Sequence, residues 1–400
     1  MGETISGGIT AVPGIQASGV SCGIKESKKD LAIIYSKVPA VSAAVFTTNL
    51  IKAAPVLVSA RNIKENVTRA VVVNSGNANA CSGPRGLNDA ERMVLLTAGH
   101  LDLDPREVLV SSTGVIGEFL PMEKVEKGIK MAVEALSESG GSEAAEAILT
   151  TDTVIKEMSY RFELSGKTVT IGAMAKGSGM ICPNMATMLA FITTDVNIKK
   201  ELLQKALQES VKCSYNLITV DGDTSTNDMV LLLANGNAEN PEITEEGEGF
   251  QTFLEALNYV NKYMARQIIY DGEGTTKLIE VTLQGVRDYE SGRKMAMGIL
   301  NSSLVKTAFF GEDANWGRII TAMGYSSRDF DPEKVDIFLG DLQVMKEGVG
   351  LIFNEERAKE ILSHKEIKVF IDLKEGKDII TAWGSDLSHQ YVTINSSYRT

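Results

Sequence analysis

The stretch from Ala175 to Leu189 reads Ala-Lys-Gly-Ser-Gly-Met-Ile-Cys-Pro-Asn-Met-Ala-Thr-Met-Leu. It leaves an apolar run ending at Met174, passes two glycines and a proline, and re-enters apolar sequence at Thr187. Gly177 and Gly179 admit backbone conformations closed to other residues, while Pro183 fixes its own φ and disfavours helix at Cys182. The chain is therefore bent at a chosen place, and a small hydroxyl, Thr187, follows the unhindered Ala186. Taken alone the stretch is an ordinary surface turn; its sharper reading makes Thr187 a nucleophile. A threonine hydroxyl attacks only when a base takes its proton. His100, His364 and His389 stand far apart in the chain and supply neither a histidine-based triad nor a multi-histidine metal site. Any hydroxyl nucleophile here needs another base.

The remaining composition narrows the class. With 400 residues the chain can bury a large core and hold more than one domain. A net charge of −12 argues against a nucleic-acid surface. No apolar run approaches the length of a membrane span, and the amino terminus lacks the basic start and apolar core of an export signal. Cys22, Cys81, Cys182 and Cys213 form no Cys-x-x-Cys pair. That usage predicts a reduced, cytoplasmic protein with incidental thiols. Asn66-Val67-Thr68 is a glycosylation triplet without meaning in that compartment.

Elements that could position these groups follow from the apolar pattern. Ala32 to Tyr35, Ala43 to Phe46, Arg69 to Val73 and Glu107 to Val110 read as strands. The third runs into the turn Asn74 to Ala80, and the fourth into Ser111-Ser112-Thr113-Gly114-Val115-Ile116-Gly117. A helix capped at Asn88 or Asp89 runs to Ala98, and another spans 122–138. Ser137 to Glu143 is the linker candidate of this half. Met158 to Leu164 and Thr168 to Met174 form a hairpin. Further strands are expected at Met188 to Ile192, Leu217 to Val220, Met229 to Leu233, Leu278 to Leu283, Val305 to Phe310, Val335 to Leu339 and Tyr391 to Ile394, with a final hairpin at Glu375-Gly376. Helices are expected near 198–212, 250–268, 290–300 and 354–364, and from Asn315. Strict βαβ alternation is missing, which favours an α+β fold over a doubly wound sheet.

Several motifs fail as ligand sites. Lys176 precedes Gly177, so Gly172 to Ser178 is no phosphate loop. Asp221, Asp223, Ser225 and Asp228 resemble a calcium loop with Thr226 and Leu232 in the wrong places, and a hydrogen-bonded turn fits better. By contrast, four strand ends deliver small polar and glycine turns: 74–79, 111–117, 176–187 and 271–274. Such turns can converge on a small polar ligand and offer N–H groups to an oxyanion.

Lys-Gly-Ser-Gly-Met-Ile-x-Pro-Asn-Met-Ala-Thr-Met-Leu, Asn-Ser-Gly-Asn-Ala-Asn-Ala, Ser-Ser-Thr-Gly-Val-Ile-Gly and Asp-Gly-Asp-Thr-Ser-Thr-Asn-Asp together resemble the ornithine acetyltransferase (glutamate N-acetyltransferase) family of arginine biosynthesis. The resemblance extends to the tail Asn395 to Thr400. It implies a layered α/β/β/α sandwich with a second, smaller α/β domain. It also implies a precursor that cuts itself between Ala186 and Thr187, giving chains 1–186 and 187–400 that assemble as a heterotetramer of two each. Cleavage would expose the Thr187 α-amine, whose ordinary pKa of about 7.7–8.0 suits the missing base. By resemblance Thr187 takes the acetyl group of N-acetylornithine and passes it to glutamate, with the Thr113 hydroxyl and the Gly114 N–H as oxyanion partners. Substrate contacts implied in the same way are Thr150, Thr151, Lys176, Thr187, Glu273, Asn395 and Thr400. Lys176 suits a substrate carboxylate and Glu273 a substrate ammonium. No cofactor, metal, nucleic acid or membrane is implied; acetyl-CoA stands open as a second acetyl donor. Two rival readings are an amino-terminal nucleophile hydrolase, such as an aminopeptidase of related fold, and a binding module holding a metal in the 221–228 loop.

Overall fold

A computed structural model describes residues 2–65, 67–182 and 188–397. Asn66, the Pro183 bend, the Ala186–Thr187 bond and Thr400 lie outside the described residues. The strand Leu31–Phe46 organises the first unit. Its first half pairs with Ile15–Val20 and Thr68–Asn77, and its second half pairs with Met229–Ala234. Register shifts between Tyr35 and Ala40, so one strand serves two limbs of a sheet. The full order, among the described residues, is Glu3–Ile5, Lys156–Leu164, Lys167–Lys176, Leu189–Thr194, Met229–Ala234, Leu31–Phe46, Thr68–Asn77 and Val108–Val115, with Ile15–Val20 beside Leu31–Phe46.

The two limbs face each other across one apolar layer. Ile34, Val71, Val73 and Leu109 of one limb are buried with Met174, Phe191, Leu231 and Leu233 of the other. Outside the first limb, Ile33, Val72 and Val110 pack with residues of the helices Ala54–Asn62, Gly83–Leu101 and Met122–Glu134. Outside the second, Ala173, Ile192 and Leu232 pack with Leu207 and Leu257 of Lys200–Lys212 and Glu248–Tyr270. Helix, sheet, sheet and helix thus form four layers, the expected α/β/β/α sandwich. Its strands are buried on both faces, which is why they read as continuous apolar runs.

The smaller α/β unit is a second sheet in the order Val349–Gly350, Leu342–Lys346, Asp336–Leu339, Glu366–Asp372, Leu278–Val286, Asp378–Ser385 and Ile218–Thr219. The last of these strands belongs to the sandwich chain and pairs Ile218 with Trp383, so the two units share a core.

Several local expectations change. Asn74–Asn77 and Ser111–Val115 are not turns: both strands continue through them in parallel, with Ser75 opposite Thr113 and Gly76 opposite Gly114. Small side chains permit that approach, and Ser112 Oγ donates to Asn74 Oδ1 at 2.6 Å. The helix placed at Asn88 starts earlier, at Gly83, because Pro84 suits a first helical turn. Ser137 is no linker: it exchanges backbone hydrogen bonds with Ala17, and a helix begins at Gly141. Val305–Phe310 lies in the helix Ser303–Phe310, where the Ser302 hydroxyl caps the N–H of Val305 and Val305, Ala308 and Phe309 face the core. Tyr391–Ile394 also turns out helical, within His389–Ser397. A four-residue apolar run cannot by itself distinguish strand from helix. The strands around Glu375-Gly376 do not form a hairpin, since Leu278–Val286 lies between them, parallel to one and antiparallel to the other.

Candidate active site

A cavity of about 190 Å³ opens where the sandwich meets the last helix. Thr113, Gly114, Thr150, Thr151, Lys176, Glu273 and Asn395 all line it. These are the site residues expected from sequence, apart from Ala186, Thr187 and Thr400, which lie outside the described residues. Met188 and Leu189, the two residues that follow Thr187, also line the wall. Both members of the Thr150–Thr151 pair reach it.

Thr113 and Gly114 are delivered by the end of the strand Val108–Val115. Gly114 has φ +132°, and a Cβ there would meet the backbone carbon of Gly76 at 2.3 Å, so no other residue fits the parallel pair. Lys176 ends the strand Lys167–Lys176, and its Nζ donates to Thr113 Oγ1 at 3.4 Å. An ammonium only donates, so Thr113 is fixed as the acceptor and its own proton is left to point elsewhere.

Lys176 rests on a buried charge network. Asp152 Oδ2 lies 4.0 Å from its Nζ, and Asp152 Oδ1 accepts from Lys156 Nζ at 2.8 Å. Lys156, buried with a fully enclosed side chain, also pairs with Asp271. Burial alone would push the Asp152 carboxyl up, but Lys176, Lys156 and the Gly177 N–H hold it well below the usual carboxylate range. Burial draws the Lys176 ammonium down in turn. Lys156 is thus tightly paired by two carboxylates, whereas Lys176 is held loosely and lines the cavity. A substrate carboxylate would complete it.

Glu273 lines the same cavity as Lys176. Its backbone N–H donates to Ser178 O at 2.9 Å, and its Oε2 accepts from Asn395 Nδ2 at 2.8 Å. A Cβ on Gly179 would meet the Glu273 carboxylate at 2.4 Å, so that glycine makes room for the acid. Tyr391, one helical turn before Asn395, donates its hydroxyl to Asp221 Oδ2 at 3.3 Å.

Sequence reading passed over the loop 221–228 as a wall of the cavity. Asp221, Asp223, Ser225, Asn227 and Asp228 line it. Asp221 does act as the anchor of a hydrogen-bonded turn, accepting from the N–H groups of Met180 and Ile181 at 2.7 and 2.8 Å. Asn227 ties the loop to two other strand ends, donating to Ala78 O and Ser112 O at 2.6 and 2.8 Å. The available signal was the loop's place directly before the strand Met229–Ala234, which pairs in parallel with Leu189–Thr194. Partner and register of that pair were not readable from one strand alone.

Fold and cavity together define a layered α+β protein with a small site lined by several polar and charged groups. Hydroxyl and backbone amide groups, a cation and a carboxylate line that site. The ArgJ family model matches residues 16–400. The arginine biosynthesis bifunctional protein ArgJ of Caldanaerobacter subterraneus subsp. tengcongensis is 52% identical over 402 residues, covering 100% of both chains. That of Bacillus subtilis is 50% identical over 397 residues, covering 99% of this chain and 97% of its own. Among solved structures, ArgJ from Bacillus halodurans is 46% identical with a TM-score of 0.45, covering 46% of this chain and 98% of its own. The chain belongs to the ArgJ family, and it is an enzyme.

Proposed function

We propose that this enzyme moves the acetyl group of N2-acetylornithine to glutamate through an acetyl ester on Thr187. The observation that supports this most directly is the convergence of Thr113, Gly114, Lys176, Glu273 and Asn395 on a cavity walled by Met188, the residue bonded to Thr187. Family membership supports it independently, and a relative from Mycobacterium tuberculosis is described as an ornithine acetyltransferase complexed with ornithine.

In this reading the precursor first cuts itself at Ala186–Thr187 and exposes the Thr187 α-amine. That amine takes the hydroxyl proton as Oγ attacks the acetyl carbonyl. The amide C–N bond breaks, and the amine returns the proton to the departing ornithine nitrogen. The amine of glutamate then attacks the ester carbonyl, a new C–N bond forms as the ester C–O bond breaks, and the proton shed by the glutamate nitrogen passes through the Thr187 α-amine to Oγ. Charge developing on the carbonyl oxygen is met by the Thr113 hydroxyl, whose oxygen accepts from Lys176, and by the Gly114 N–H. Lys176 takes the substrate α-carboxylate and Glu273, oriented by Asn395, an ammonium. Thr150, Thr151 and Thr400 complete the substrate contacts.

The relatives are named bifunctional, and we extend that to acetyl-CoA as a second acetyl donor. The chains 1–186 and 187–400 would form a cytoplasmic heterotetramer of two each; among the described residues no helix is long and apolar enough to cross a membrane. The deciding experiment supplies N2-acetylornithine with and without glutamate, and acetyl-CoA in a parallel arm. Transfer that requires glutamate supports the reading. Release of free acetate at the same rate without glutamate would make the protein a hydrolase instead.

A further inference from the structure

Asp152 stands behind the cavity rather than in it, yet it ties together two groups that line it, Thr150 and Lys176. Its side chain is fully enclosed, on the loop between the helix Gly141–Ala147 and the strand Lys156–Leu164. Oδ2 accepts the N–H of Thr150 at 3.0 Å, while Oδ1 accepts the N–H of Gly177 at 2.7 Å and the Lys156 ammonium at 2.8 Å. The Lys176 ammonium stands 4.0 Å from Oδ2 and 3.4 Å from Thr113 Oγ1. One carboxylate therefore holds the Thr150 wall, the peptide that follows Lys176, and the charge beside Lys176 itself.

The surrounding charges make Lys176 depend on this anion. Lys156 is shared between Asp152 and Asp271, and Asp271 also accepts the Thr153 N–H at 3.0 Å. Lys25, which donates to Leu149 O at 2.9 Å, adds a further positive charge nearby. Glu273 and Asp228, both in the cavity wall, favour the Lys176 ammonium less than Asp152 does. Burial and Lys156 work against that ammonium, and Asp152 is the largest influence in its favour.

We propose that Asp152 is a positioning residue that holds Lys176 as an ammonium between itself and Thr113, ready for the α-carboxylate of the substrate, and anchors Thr150 beside it. This rests on the reading of Lys176 as the partner of that carboxylate. No proton moves to or from Asp152 in this role. The consequence has a direction. With the anion removed, Lys176 gives up its proton at a lower pH. Below that pH it is still an ammonium and takes the carboxylate; above it, it is a neutral amine and does not.

The test compares Asp152→Asn with the natural protein. Asparagine keeps the shape and one accepting oxygen but carries no charge. KM and kcat for transfer from N2-acetylornithine are measured from acid to alkaline pH. Protonation of Lys176 is followed by NMR of isotope-labelled lysine, with its signal assigned through Lys176→Met. At alkaline pH Asp152→Asn should raise KM by roughly ten- to a hundredfold, the effect of one lost hydrogen bond between charged groups, with kcat changed less. Toward acid pH its KM should return to that of the natural protein, which a general distortion of the site would not allow. Lys176 should titrate at lower pH in the variant than in the natural protein. The proposal is overturned if KM is raised equally at every pH, if it is unchanged throughout although Lys176→Met raises it, or if Lys176 titrates alike in both proteins. Should Asp152→Asn not fold, Asp152→Asn/Lys156→Met takes its place with the same expectations, because Asp152 acts on Lys176 more strongly than Lys156 does. If Lys176→Met leaves KM unchanged, the reading of Lys176 as the carboxylate's partner fails, and the lysine titration alone decides whether Asp152 holds the ammonium.

Discussion

In the proposed mechanism Thr113 acts through one proton. Its oxygen receives the Lys176 ammonium at 3.4 Å, so the hydroxyl proton is free to meet a developing negative charge. Thr113→Ala should therefore lower kcat by roughly 10²–10³, the typical effect of one oxyanion donor, while the thermal midpoint stays put. Normal turnover, or loss of activity only through unfolding, would remove the residue from the mechanism. Asp228 makes a second prediction at this scale. Its folded pKa is raised, so it binds its proton more tightly folded than unfolded. The stability it contributes is complete below the ordinary aspartate pKa of about 3.9 and declines as pH rises toward the folded value. Unfolding midpoints of Asp228→Asn should decline less over that window than those of the natural protein, measured by denaturant titration at a series of pH values.

Among the elements, two distant connections hold the cavity together. Lys156 begins the strand Lys156–Leu164, and Asp271 caps the helix Glu248–Tyr270, with Asp152 between them and Lys176. Lys156→Met removes the cation shared by two buried carboxylates, leaving Asp152 only the looser Lys176, and should destabilise the fold by about 3–5 kcal/mol, read from denaturant unfolding. In the proposed function the final helix serves binding through Asn395. Asn395→Ala strips Glu273 of its donor and should raise the KM for acetylornithine by roughly tenfold, as one lost hydrogen bond to a charged group implies, with kcat lowered less. What was legible from sequence follows the same division. Long apolar runs such as Lys167–Lys176 and Met229–Ala234 announced buried strands, and the small polar motifs at strand ends announced the walls of one cavity. Val305–Phe310 and Tyr391–Ile394 were misread because runs this short carry no period. The Asp152–Lys156–Asp271 network and the Asp228 wall escaped because they depend on pairings between segments far apart in sequence, set by register rather than by any local pattern.

At the scale of the whole molecule, the proposed cut falls between two paired strands. Lys167–Lys176 and Leu189–Thr194 run antiparallel, with Ala175 opposite Ala190, and Met229–Ala234 then joins Leu31–Phe46. Chains 1–186 and 187–400 would thus be interleaved in one sheet with a common core, so cleavage should not release them. They should copurify and separate only in denaturant. The measurement that bears most directly on acetyl transfer through Thr187 is intact mass in denaturant after incubation with N2-acetylornithine and no glutamate. The prediction is two polypeptides, 1–186 and 187–400, with one acetyl group added to the second and lost again when glutamate is supplied. A single uncut chain that transfers acetyl at full rate, or a cut chain that never carries the group, would contradict it.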